Sequence, residues 1–407
     1  MTDQQRFHSL DALRAGALLL GIALHATMSF LPGFRDTGWP ISDVSESASM
    51  GVLFYVVHIF RMATFFLVAG FFARLLFQRL GAGGFIRNRL RRIALPLVAF
   101  FPVIMPLCIL PIVWAARQAA AAGAGGAAGP HAGFPKGFSW GHFWFLYLLL
   151  VLYTLVLIGR AAVVAADRRG SLRSFVDRAL NKALEFRVAP LLLAAPLAAL
   201  LYATPWWLQW SGIPTPLVGF VPSLPAVACF GAAVVFGWCL HRQQSLFELL
   251  RRDCVLYLLV AAVASAVALS MVGVKMKALT VIAMSPEIRA AYAFAYVLAM
   301  WCWCLGLTGA AVAWLSAPSA RWRYLSDASY WMYLIHVPIV WGLQAWMLRW
   351  PLHWLIKYAL ILIIAGVLLL SSYHYLVRST FIGKFLNGRK YPRALPQIVA
   401  APDASTA

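Results

Sequence analysis

Apolar residues along this chain neither alternate nor recur as a single stripe. They run almost unbroken for roughly twenty positions at a time, the length a helix needs to cross the hydrocarbon core of a bilayer. Ten such runs are predicted, over residues 12–32, 52–76, 93–115, 143–165, 188–204, 223–241, 254–273, 291–315, 329–348 and 354–376. The fifth is short and flanked by prolines. The pattern predicts an all-α, polytopic integral membrane protein of about ten transmembrane helices, one domain over 1–393, and a disordered cytoplasmic tail over 394–407. The first run is long and no convincing cleavage site follows it, so it is expected to stay as the first span. "AAAAGAGGAAGPHAGFP", residues 119–135, reads as a flexible outer loop.

Charge supports this picture and orients it. Hydrophobic residues make up 62% of the chain and charged residues 12%, against about one quarter charged in a soluble domain. A net charge of +21 suits nucleic acid in principle, but the basic residues cluster in short segments between apolar runs. Of the 34 Lys and Arg, 25 fall on one side when the loops alternate, and the segment 205–222 has no charge at all. That is the positive-inside pattern, so both termini are expected in the cytoplasm and no nucleic-acid partner is expected. The six cysteines lie in or beside apolar runs and form no disulfide or metal pattern. No internal repeat is evident, which disfavours repeat-built transporter folds.

None of the thirteen Asp and Glu sits deep in a run, so the intramembrane carboxylate relay common in proton-coupled carriers is not visible. The ionisable set read as intramembrane is Arg14, His25, His58, Arg61, His336 and His374, on the first, second, ninth and tenth runs. Polar groups in lipid are costly unless they face a cavity or protein, so these four helices are expected to meet around a polar cavity. Arg14 and His25 are eleven positions apart, which returns a helix to within about 20° and places them on one stripe, about 16 Å apart. Leu18 and Gly21 continue that stripe, and Asp11 stands one turn before Arg14. On spacing alone the pair reads equally as a snorkelling arginine plus a core histidine, or as a cation and an imidazole met in turn by a ligand from the cytoplasm.

Arg61, in "FYVVHIFRMATFFLVAG", falls close to mid-membrane with His58 one turn away. A guanidinium stays charged there. Its counter-charge is a loop carboxylate such as Asp36, Asp43 or Glu46, a set of carbonyls, or a bound anion. "RNRLRRIALP" places Arg87, Arg89, Arg91 and Arg92 before the third run, either as ordinary positive-inside flanks or as a phosphate-binding patch. "SYWMYLIHVPIV" puts His336 mid-span ahead of Pro338, with Tyr330 and Tyr333 as interfacial aromatics or site residues. His142 and Trp144 open the fourth run and fit an aromatic belt.

Four of these stretches together resemble acyltransferase family 3, the ten-span integral membrane acyltransferases. "LDALRAGALLLGIALHA" resembles its opening Leu-Asp…Arg…His, and "FRMATFFLVAGFFARLLFQR" its second span. "RLRRIALPLV" resembles its Arg-x-x-Arg…Pro signature through Arg89, Arg92 and Pro96, and "DASYWMYLIHVPIV" its late Ser-Tyr…His-x-Pro segment. Within the family, "HIFRM" and "HFWFL" look most like a glucan-biosynthesis subgroup associated with succinyl transfer to periplasmic glucans.

The resemblance implies that Arg14 and His25 are the catalytic pair and that Arg89 and Arg92 help hold the donor's phosphates. The expected protein is then an O-acyltransferase of the bacterial inner membrane. Its donor is a cytoplasmic acyl-CoA, and its acceptor is a periplasmic or surface glycan, for example an osmoregulated periplasmic glucan. No permanently bound cofactor and no metal are expected. His25 would act as general base, with Arg61 or His58 on the oxyanion or on a succinyl carboxylate. His336, Tyr330, Tyr333 and Trp144 would line the substrate path, and Asp11 and Gly21 would support it. The rival expectation is a transporter or flippase of an anionic glycan or lipid, with Arg61 as its substrate site.

Overall fold

The computed structural model describes residues 7–121, 137–277, 280–388 and 390–392; the tail 394–407 and most of the Ala/Gly loop lie outside the described residues. Twelve α-helices follow in order: α1 (His8–Thr27), α2 (Ala48–Arg89), α3 (Leu95–Ala121), α4 (Trp144–Ala166), α5 (Ser171–Glu185), α6 (Ala189–Tyr202), α7 (Leu224–Arg242), α8 (Leu246–Val272), α9 (Pro286–Trp314), α10 (Ala320–Met347), α11 (Trp354–Ser372) and α12 (Phe381–Asn387). Among the described residues there is no strand, only a lone bridge from Ser139 to Val218. Every predicted run coincides with a helix.

Among the described residues, seven helical stretches qualify by length and apolarity to cross a membrane, or eight if α5 and α6 count as one broken span bent by 108°. The difference from ten has three physical sources. Residues Ala48–Ala121 form one helical stretch of 74 residues, at about 1.5 Å per residue far longer than one crossing needs. It bends at Gly81, whose φ of 66° is open to a residue without Cβ, and passes through a π-helical turn at Leu90–Ala94. The fifth predicted run becomes α6, whose 14 residues are short for a bilayer. Finally, α10 carries Ser329, Tyr330, Tyr333, His336 and Gln344, which lower its apolarity; Ser329, His336 and Gln344 are buried against protein.

Close helix contacts hold the site helices in register. α2 and α7 touch where a Cβ on Gly70 would lie 2.0 Å from the Val234 carbonyl and one on Gly237 would lie 1.9 Å from that of Leu67. Such glycine-mediated approach is the usual means of packing helices in lipid. α1 runs through the middle of the assembly, against α2, α9, α10 and α11. Between α4 and α5, Asp167 accepts hydrogen bonds from the Arg173 main chain and guanidinium and from Ser171, which pull its carboxyl down to about 2.

Lys357, inside the tenth run, was not among the residues expected to line the cavity. Lys357 of α11 is buried and pairs with Asp43 at 2.6 Å, both 2% exposed or less. A buried pair of this kind tolerates lipid because each charge neutralises the other. It also ties the 28–47 connection to α11.

Candidate active site

The two ends of the α1 stripe both meet α10. Near the start of α1, the Arg14 Nη2 atom donates to the Ser326 carbonyl at 3.1 Å and to its Oγ at 2.5 Å. Ser326 Oγ in turn donates to Asp11 Oδ1 at 3.1 Å, and Asp11 and Arg14 pair at 3.5 Å. The Arg14 guanidinium also lies over Phe72 of α2. Near the end of α1, the His25 ring lies 5.1 Å from that of His336, centroid to centroid. Gln344 Nε2 donates at 3.0 Å to the carbonyls of both His25 and Ala26 at the end of α1, where the His25 carbonyl also accepts from the Met28 amide. Arg14 meets Ser326 and His25 meets His336, so α1 and α10 run side by side in one direction. The polar stripe is a seam between them.

At the His25 end the basic groups converge. His336, Arg61, His142 and His58 are all within electrostatic reach of His25. His336 donates through Nδ1 to the Tyr333 carbonyl at 2.8 Å. His142 donates through Nε2 to the Leu334 carbonyl at 3.0 Å, and its ring stands edge-on to that of His336 at 5.9 Å. The Tyr333 hydroxyl donates to the His142 carbonyl at 2.7 Å, joining α10 to the entrance of α4. His58 packs edge-on against Phe54. The Nδ1 atoms of His25 and His58 and the Nε of Arg61 are buried with no hydrogen-bond partner among the described residues. His142 was the member of this group that the sequence placed in an aromatic belt; nothing local distinguishes it, because its contacts come from α10.

Arg61 lies on α2, against Gly21 of α1. Among the described residues it makes no ion pair. Asp43 is committed to Lys357, and Glu46 accepts from the Gly33 amide at 3.4 Å. Gly21 makes room for the guanidinium: a Cβ there would lie 2.4 Å from Arg61 Nη1. Gly21→Ala is therefore expected to fold, since the end of a flexible side chain can yield, but to displace the guanidinium. Turnover should fall by about tenfold to 100-fold, since misplacing a group by about 1 Å can cost about 100-fold. Unchanged turnover in a variant of normal melting temperature would remove Gly21 from the site.

Other expected site residues are placed elsewhere. Arg92 donates through Nη1 to the carbonyls of Lys384 and Phe385 at 2.8 and 2.7 Å, closing the end of α12, and the Tyr330 hydroxyl donates to the Arg92 carbonyl at 2.9 Å. The Arg89 guanidinium lies over the rings of Phe85 and Tyr153. Arg87 and Arg91 are exposed. Trp144 packs against Phe66 and Phe230 and is 8% exposed. His374 meets the Tyr324 hydroxyl at 3.3 Å and stands over Tyr375, apart from the His25 group. Among the described residues no cluster of His, Cys, Asp and Glu has metal-binding geometry.

A family model described as an acyltransferase domain matches residues 7–371. The chain is similar to the glucans biosynthesis protein C of Escherichia coli strains SMS-3-5 / SECEC and K12 / DH10B, with 28% identity over 100 residues in each. Those alignments cover 25% of this chain and 25% of each relative, so the chain spans about a quarter of the length of the curated relatives it matches. No solved structure matches.

Proposed function

The chain belongs to acyltransferase family 3, and we propose that it is a membrane-embedded O-acyltransferase moving a succinyl or acetyl group from cytoplasmic acyl-CoA to a hydroxyl of a periplasmic or surface glycan. The observation that supports this most is the convergence of His25, Arg61, His58 and His336 at one end of the α1–α10 seam, with Arg14 at the other. In the proposed arrangement there are ten crossings with both termini in the cytoplasm. The long 48–121 stretch supplies two, the bent α5–α6 pair one, and α10 one despite its polar residues. The membrane is then the bacterial inner membrane.

The proposed chemistry follows from the groups present. The donor's phosphates rest on the cytoplasmic arginines, Arg89 and Arg92 included, and its pantetheine arm follows the seam past Arg14 toward His25. A guanidinium has five donors, so Arg92 retains some for a ligand beyond those given to α12. His25 takes the proton of the acceptor hydroxyl, and that oxygen attacks the thioester carbonyl. Arg61 or His58 stabilises the oxyanion, the carbon–sulfur bond breaks, and CoA leaves as the thiol. Transfer through an acyl-histidine is the alternative route. Tyr330, Tyr333 and Trp144 wall the path, and the glycan enters from the outer side. The links to glucans and to succinate draw on the printed names of the similar relatives and on the resemblance of "HIFRM" and "HFWFL".

Acyl transfer by the purified protein, followed with labelled acyl-CoA, tests this reading. Replacing Arg89 and Arg92 together by Gln should raise the donor's apparent KM about tenfold and change turnover less, because phosphate contacts are largely uniform binding. Donor affinity should weaken with added salt. A protein that neither binds nor hydrolyses acyl-CoA, yet moves an anionic glycan or lipid across vesicles, would instead be the carrier that an unpaired mid-membrane Arg61 also suits.

A further inference from the structure

We propose that His336 is a positioning residue for His25: its Nε2 accepts the Nδ1–H of His25, and His25 Nε2 is thereby left as the atom that takes the substrate proton. The proposal rests on the acyl-transfer reading only in making His25 the base. The pairing itself follows from hydrogen-bond inventory. A carbonyl oxygen can only accept, so the nitrogen facing it must carry the hydrogen. His336 Nδ1 faces the Tyr333 carbonyl at 2.8 Å and is therefore the protonated nitrogen. A neutral imidazole has one donor and one acceptor, which makes His336 Nε2 the acceptor.

His142 cannot be that donor. Its own Nε2 is committed to the Leu334 carbonyl at 3.0 Å, so its Nδ1 is an acceptor too, with the Cys108 thiol 3.9 Å away. Two acceptors do not pair. Of the other imidazoles in the group, His25 is the one whose ring meets that of His336, and its Nδ1 is buried and unpartnered among the described residues. The 5.1 Å between the two ring centres suits the geometry, since imidazoles joined by an N–H···N bond of about 3 Å have centres roughly 5 Å apart. Bonds of this kind are often loose before substrate arrives and tighten with it.

The arrangement has the logic of a base oriented by a third group. Here the orienting group is neutral, and its own tautomer is locked by a main-chain carbonyl. The lock is anchored in turn, because the Tyr333 hydroxyl ties the same stretch of α10 to the His142 carbonyl. Arg61, with its buried Nε unpartnered among the described residues, is a second donor within electrostatic reach of His336. The experiment therefore has to separate it from His25.

The test uses the full-length protein in detergent, with 15N-labelled histidine and no substrate. The expected result is a His25 whose proton sits on Nδ1, a preference lost in His336→Leu and kept in Arg61→Gln. His336→Gln places an amide oxygen near the position of Nε2 and should restore the preference. In turnover, His336→Leu should lower kcat about 30-fold with the KM of donor and acceptor nearly unchanged, and His336→Gln should recover most of that loss. A wild-type His25 protonated on Nε2 overturns the proposal. So does His336→Leu with a raised KM and intact kcat, which would make His336 a substrate contact, or a tautomer lost in Arg61→Gln instead. The tautomer is read without turnover. A wild-type protein that transfers no acyl group would therefore sink the acyl-transfer reading while the His25–His336 pair is still decided on its own measurement.

Discussion

Replacing His25 by alanine is expected to abolish acyl transfer, lowering turnover at least about 100-fold, the usual scale for a positioned general base. The same change should leave insertion and melting temperature close to wild type. Truncation removes at most one neutral N–H···N bond, that to His336, worth about 1 kcal/mol. The contact that does hold this end of α1 is made by Gln344 to the main-chain carbonyls of His25 and Ala26, and alanine keeps both. A structural histidine would behave in the opposite way, costing stability first and activity in proportion. Turnover of the purified variant, measured beside its thermal unfolding, separates the two. More than about a tenth of wild-type turnover in a stably folded variant would end the general-base role.

The helices were legible because a membrane helix writes its own length in apolar residues, and every predicted run is a helix. Their number of crossings was less so. Nothing in the composition of 188–204 announces that α6 follows α5 at an angle of 108°, because the bend is set by the Arg187 connection and by packing. Arg187 itself takes a left-handed φ of 62° there. The stripe of Arg14, Gly21 and His25 followed from helical period alone, and so did the room that Gly21 leaves.

What period cannot supply is the partner across the seam. Ser326 joins Asp11 to Arg14 from more than three hundred positions away, and Lys357 reaches Asp43 over a similar separation. Lys357 went unremarked in its run because a lysine near a helix end ordinarily snorkels to the surface. Only the fold places a carboxylate beside it. The same limit applies to Arg92, whose bonds to α12 could not be read from the "RLRR" stretch.

Arg61→Gln should distinguish what the buried guanidinium is for. The fold narrows the choice, because of the three acids first considered as its partner, Asp43 is bound to Lys357, Glu46 meets the Gly33 amide, and Asp36 is exposed. A half-buried cation that pairs with no acid among the described residues suits an anion delivered by the reaction. If that anion is the carboxylate of a succinyl group, Arg61→Gln should cost succinyl transfer several kcal/mol, the scale of stranding one member of a buried pair, and should spare transfer of acetyl. If it is the tetrahedral oxyanion, both donors should lose about 100-fold or more, because the charge develops with either. Arg61→Lys keeps a cation but not the fork, so it should recover the oxyanion role better than the carboxylate role. If instead Arg61 is structural, the Gln variant should melt well below wild type and lose both activities with it. Both donors and the melting curve, measured on one preparation, assign the residue. A stable Arg61→Gln protein with normal activity toward both donors would show that no anion is held there, and the convergence of His25, His58 and His336 around it would then have to be explained by packing alone.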